Sequence, residues 1–121
     1  MPINVLIGPT IAAGTSLSNA LNINAGLLYR IIMPALWTPA KITFQLSQDG
    51  IDFYDAYGLN GKEIVLQPIR NTIVTFGGYI MQTHSIKIRS GTTRVPVVQT
   101  LPRVFKLVID TQASVLPAPY L

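Results

Sequence analysis

Few residues in this chain can do chemistry, and His84 is the single histidine among 121 residues. Any Ser-His-Asp relay or histidine-based metal site would have to be built on it. It stands between Thr83 and Ser85 at the head of an alternating stretch, a position that suits a strand-end surface residue better than a general base. The nucleophile elbow, the paired-histidine zinc motif and the phosphate-cradling loop are missing, so acyl transfer, zinc hydrolysis and nucleoside triphosphate chemistry lack their usual supports. Cysteine is absent as well, which removes thiolate catalysis, disulfides and cysteine-ligated metals. A protein that is not an enzyme and needs no cofactor is expected.

Two further groups invite a chemical reading. Asp49, Asp52 and Asp55 would suit a hard cation if they converged, but side chains three apart on a strand point to opposite faces. The alternating-acid pattern of a calcium loop is also missing, and Asp49 before Gly50 reads as a turn residue. No metal is expected. Trp37, Tyr54, Tyr57 and Tyr79 are rings on which a sugar could stack, and equally the residues that fill the rim and core of a small β-fold. Packing is the expected use.

The charge count is more telling. Charged residues make up 12% of the chain, with a net charge of +4, against about 25% in an average soluble domain. No charged side chain occurs in residues 1–29 or 111–121. Those tails are either ordinary terminal strands or surfaces covered by neighbouring subunits. The second reading makes Ile3, Val5, Leu6 and Ile7, with Leu116 and Tyr120 at the other end, partner contacts. Between Glu63 and Asp110 the chain holds six basic residues and no acid, and of these Arg89, Arg94 and Arg103 are candidates for pairing with an acidic protein surface. Nucleic acid is not expected, because such domains interleave more Lys and Arg with aromatic platforms. Neither a membrane span nor a signal peptide is expected: the apolar stretches are broken by Pro, Gly and Asn before reaching the required length of about 18 residues.

The elements that must carry these residues are strands. Ile, Val and Thr occupy 35 positions, and nine prolines and nine glycines interrupt any helical periodicity. Ile42, Phe44 and Leu46 alternate with polar residues across 41–47, and Asp49-Gly50 then turns the chain into a second extended segment at 53–57, a hairpin. Ile86 and Ile88 alternate with Lys87 and Arg89 in 84–89. In 103–109, Phe105, Leu107 and Ile109 face away from Val104, Lys106 and Val108, which predicts a central strand partly covered on both sides. Segments 17–23, 27–33, 63–67 and 73–76 complete about eight strands at the spacing of sandwiches. The fold class predicted is all-β, an antiparallel two-sheet β-sandwich of jelly-roll type. An extended arm (1–15) would precede the sandwich (16–110), and a tail (111–121) would follow it.

The run from Ile42 to Tyr57, with Ser47, Asp49, Gly50 and Phe53 as an S-x-D-G turn followed by an aromatic, resembles the strand and turn of galactose-binding-like sandwich domains. More broadly, the neutral arm, the segment 28–40, the S-x-D-G hairpin, Ile-Lys-Ile-Arg-Ser-Gly at 86–91 and the last strand at 103–109 resemble small all-β virion proteins of tailed phages. That resemblance implies a structural protein of the virion, such as a capsid decoration or cement protein or a head-fibre base. Its partners would be the major capsid protein or other virion proteins, with homo-oligomeric or lattice-bound copies. The alternative is a carbohydrate-binding module on a phage tail or fibre.

Overall fold

The computed structural model describes residues 3–75 and 82–111. Within them are eight strands and no helix: β1 (Ile3–Ile11), β2 (Leu21–Asn22), β3 (Leu27–Ile32), β4 (Ile42–Ser47), β5 (Tyr54–Asp55), β6 (Ile73–Thr75), β7 (Ser85–Ser90) and β8 (Arg103–Asp110). They form two four-stranded sheets, in the orders β1-β8-β3-β6 and β2-β7-β4-β5. Every pairing is antiparallel. The first strand pairs with the last, the second with the seventh, the third with the sixth and the fourth with the fifth. The chain is thus a long hairpin whose successive sections fall alternately in one sheet and the other.

Alternation decides what each strand buries. Ile42 and Phe44 of β4 and Ile86 and Ile88 of β7 meet Leu28 and Ile31 of β3 and Phe105, Leu107 and Ile109 of β8 in a single core. All are essentially inaccessible, and a buried side chain of this size contributes about 1.5–3 kcal/mol. The central place of β8 follows from its pattern, with β1 on one side and β3 on the other.

Other expectations need correcting. Residues 3–11, expected within an extended arm, are a strand of the first sheet, in register with β8 from Ile3↔Asp110 to Ile11↔Arg103. Ile11 lies in the core and Leu6 packs against it, so this segment has the alternation of a sheet strand, which an absence of charge had concealed. Segment 63–67 makes no continuous ladder, because Glu63 bridges to Tyr57 while Leu66 bridges to Ile42. In 17–23 only Leu21–Asn22 pairs as a strand, with Leu17 bridged separately to Arg89. The tail from 112, with Leu116 and Tyr120, lies outside the described residues, as does Tyr79.

The β4–β5 hairpin turns as its sequence predicts. Asp49 Oδ1 accepts the N–H groups of Ile51 and Asp52 at 2.8 and 3.0 Å and the Ser47 hydroxyl at 2.9 Å, and Gly50 donates its N–H to Ser47 Oγ at 2.8 Å. Gly50 has φ +80°, and a Cβ there would lie 2.8 Å from Cε1 of His84. The half-buried His84 ring therefore packs on this turn, with Nδ1 2.8 Å from Ser85 Oγ. Gly50→Ala must both strain the backbone and displace the ring. It should cost about 1–3 kcal/mol of unfolding free energy, measured by urea denaturation.

Candidate functional site

The two outer faces of the sandwich are finished differently. On the second sheet, Arg89 of β7 points away from the core yet is only 8% exposed. Its Nη2 donates to Asp55 Oδ1 at 2.7 Å, and its Nη1 donates to Thr93 Oγ1 at 2.8 Å and to Thr43 Oγ1 at 3.3 Å. Glu63 Oε2 stands 3.5 Å from Nη1 and accepts a hydrogen bond from the Thr93 hydroxyl. The segments carrying Glu63 and Thr93 fold over the strands to make this cluster, and the ammonium of Lys87 sits 4.4 Å over the ring of Phe53. This face is closed on itself.

Arg103 is equally committed. It continues the inward parity of Phe105 and Leu107, is 5% exposed, and donates Nε–H to Gln99 Oε1 at 2.8 Å and Nη2–H to Thr38 Oγ1 at 3.2 Å. Gln99, wholly buried, also accepts the Thr38 N–H at 3.0 Å and donates to Thr38 O and Ser90 Oγ at 3.0 and 2.8 Å. Of the three arginines expected to contact a partner, Arg89 and Arg103 are thus spent within the fold, and Arg94 alone is exposed. The physical reason is burial from outside the strand pattern: loops cover Arg89, and the end of the sandwich encloses Arg103.

The remaining candidates separate in the same way. Trp37 is buried and meets Phe105 edge to face at 5.6 Å between centroids, so its ring serves the packing of the core. Tyr54 and Tyr57 are exposed and line an open cleft of about 360 Å³ with Gln48, Asp49 and Asp52. Of the three aspartates, Asp49 holds the turn and Asp55 holds Arg89. Hydrogen bonds from the N–H groups of Asp52 and Ile51 and from Ser47 lower the Asp49 carboxyl to about 2. The hydrogen bond from Arg89 lowers that of Asp55 below its usual range.

On the outer face of the first sheet, Ile3, Val5 and Ile7 of β1 are exposed, and the register extends them into two rows. One runs Val5, Val108, Arg30, Thr75, and the next Ile7, Lys106, Ile32, Ile73. The register shift between Leu28 and Arg30 leaves Tyr29 as an extra residue, a bulge that turns it outward beside Arg30. With Ile3 and Val108 these two line a shallow depression of about 190 Å³. The only carboxylate on the four strands is Asp110, itself buried. The face is therefore an apolar field holding two exposed cations, Arg30 and Lys106. Arg30, Ile32 and Ile73 escaped sequence reasoning because strand order, which brings β3 and β6 beside β8, is not written in alternation.

Comparison with protein-family models, with curated proteins and with solved structures finds no match to this chain.

Two outcomes follow for the Arg89 cluster. Arg89→Leu leaves Asp55 and Glu63 without their cation and should cost about 3 kcal/mol by urea denaturation. Arg89→Lys should recover only part, lacking the planar fork. Both lowered carboxyls contribute stability that is present above the unfolded value of 3.8 and disappears as pH falls through the folded one. Thermal melting should therefore drop between pH 3.8 and about 2, and drop less in Asp49→Asn, which keeps the turn's acceptor without the charge.

Proposed function

We propose that this chain is a non-enzymatic structural protein of a tailed-phage virion, a decoration or cement protein of jelly-roll type that binds and stabilises the head shell. Two sheets ordered β1-β8-β3-β6 and β2-β7-β4-β5, with the strands of one long hairpin shared between them, support the jelly-roll reading. The observation that carries the functional reading is the contrast between the outer faces: one has its charges paired internally, the other offers apolar side chains and two cations with no exposed acid. A shell protein presenting apolar and acidic side chains is the matching surface. Burial of Val5, Ile7, Ile32 and Ile73 would stabilise the contact at about 25 cal/mol per Å² of apolar area. Lys106 and Arg30 would set its orientation by pairing with carboxylates, and repetition over a symmetric lattice makes weak single contacts sufficient.

Tyr54 and Tyr57, exposed beside Asp52 in the open cleft, favour carbohydrate binding as the second reading. Buried Trp37 is a poor reporter of it. A glycan array probed with the chain and with Tyr54→Ala is the discriminating measurement, since only the sugar reading makes a signal that this substitution removes.

The docking test needs point changes. Deleting residues 1–15 would remove β1 and its core residue Ile11, and so would report folding as well as docking. The purified chain, mixed with undecorated heads of the phage that encodes it, should sediment with the particles. Arg30→Glu combined with Lys106→Glu should weaken this on the order of tenfold at physiological salt, with thermal melting nearly unchanged. Wild-type chain left in the supernatant would end the reading.

A further inference from the structure

We propose that two copies of this chain join edge to edge through β1, the Ile3–Ile7 segments pairing antiparallel about a two-fold axis at Val5 to make one continuous eight-stranded sheet. The inference rests on the edges of the sandwich and is independent of what the assembly decorates.

A sheet edge is a template for another strand, and proteins blunt it by shortening it or by placing Lys, Pro or a bulge there. Among the described residues three of the four edges are short: β2 and β5 have two residues each and β6 has three up to Thr75. The fourth, β1, has nine. Its second half is closed, because the register shifts between Ile7 and Thr10 across Gly8 and Pro9. Asn19 then occupies the edge, its Oδ1 accepting the Thr10 N–H at 2.9 Å and its own N–H donating to Thr10 O at 3.1 Å. Residues 3–7 have no such guard. They carry no charge and no proline, and among the described residues nothing occupies the side of them that faces away from β8.

The occupant that fits best is a second copy. With Val5 opposite Val5 of that copy, Ile3 lies opposite Ile7 and Ile7 opposite Ile3, so six β-branched side chains meet on the outer face. Cross-strand pairs of this type stabilise a sheet. The register given above then sets Val108, Val5, Val5 and Val108 in one row across the seam. An uncharged seam meets its own copy without repulsion. The nearest cations, one Lys106 in each copy, lie three strand spacings apart across the sheet and four residues apart along it, about 20 Å in all, beyond the screening length of about 8 Å. An acidic partner strand, by contrast, would find no cation on this edge.

Sedimentation velocity of the full chain from micromolar to about 100 µM should show a monomer–dimer equilibrium, with Val5→Lys held at monomer. Because the chain has no cysteine, Val5→Cys supplies a second measurement that leaves the fold intact. Under mild oxidation it should form covalent dimer at least about tenfold faster than Ile51→Cys, as the geometry of paired strands raises the effective concentration. A single monomeric species over the whole range overturns the proposal. So does crosslinking of Val5→Cys no faster than that of Ile51→Cys, the outcome expected if this edge is left to water or to a different protein.

Discussion

The arrangement around Arg89 governs how this molecule spends its few charges. An outward-facing guanidinium on a central strand of the β2-β7-β4-β5 sheet gathers Asp55 at 2.7 Å and Glu63 at 3.5 Å, with the hydroxyls of Thr43 and Thr93 completing its shell. Burying a cation this far is tolerable only when its hydrogen bonds are filled. Meeting that demand draws two of the chain's five acids onto one face. Asp49 is held by a turn and Asp110 is buried, so Asp52 alone is left as an exposed carboxylate outside these arrangements.

The consequence falls on the opposite sheet. A sandwich buries two faces against each other and must finish the two outer ones with loops, charges or another molecule. Here the loops carrying Glu63 and Thr93 finish one. The other keeps Val5, Ile7, Ile32 and Ile73, relieved by Lys106, Arg30 and Thr75 in the rows that the register sets. On the reading proposed above, such a face, with residues 3–7 unguarded at its margin, serves contact along its surface and along its edge. The two modes are compatible, since edge pairing would double the face and leave it open.

Much of this was legible in the residue order. The alternations in 41–47, 84–89 and 103–109 identify β4, β7 and β8, because one-sided burial imposes a period of two. Asp49-Gly50 marks the hairpin because its φ demands glycine and its side chain satisfies the backbone. What alternation cannot reveal is how a loop distant in sequence covers an outward residue. Arg89, with Glu63 and Thr93 supplied from 26 residues before and four after, reads as surface for that reason. Trp37, placed among prolines, reads as loop although its ring completes the core against Phe105. The neutral N-terminal segment reads as an arm because its alternation lies among apolar residues of both parities, Leu6 turned inward and Val5 and Ile7 outward.

The exposed cation at the centre of the open face is fixed by the same parity that builds the core. In β8, Arg103, Phe105, Leu107 and Ile109 point inward and Val104 and Lys106 outward, while Val108, on the outer side by its register with Val5, is itself buried. A slip of one residue against β1 and β3 would exchange the sets, exposing Phe105 and burying Lys106 without a partner, a penalty no rearrangement of apolar side chains could offset. Arg103 reinforces the choice, since its inward guanidinium is matched only where Gln99 and Thr38 wait at the end of the sandwich. Gln99 in turn uses both donors and its acceptor there. Two basic residues of opposite parity thus pin the strand from both sides. Lys106 lies where a partner would meet it because the core allows it no other place.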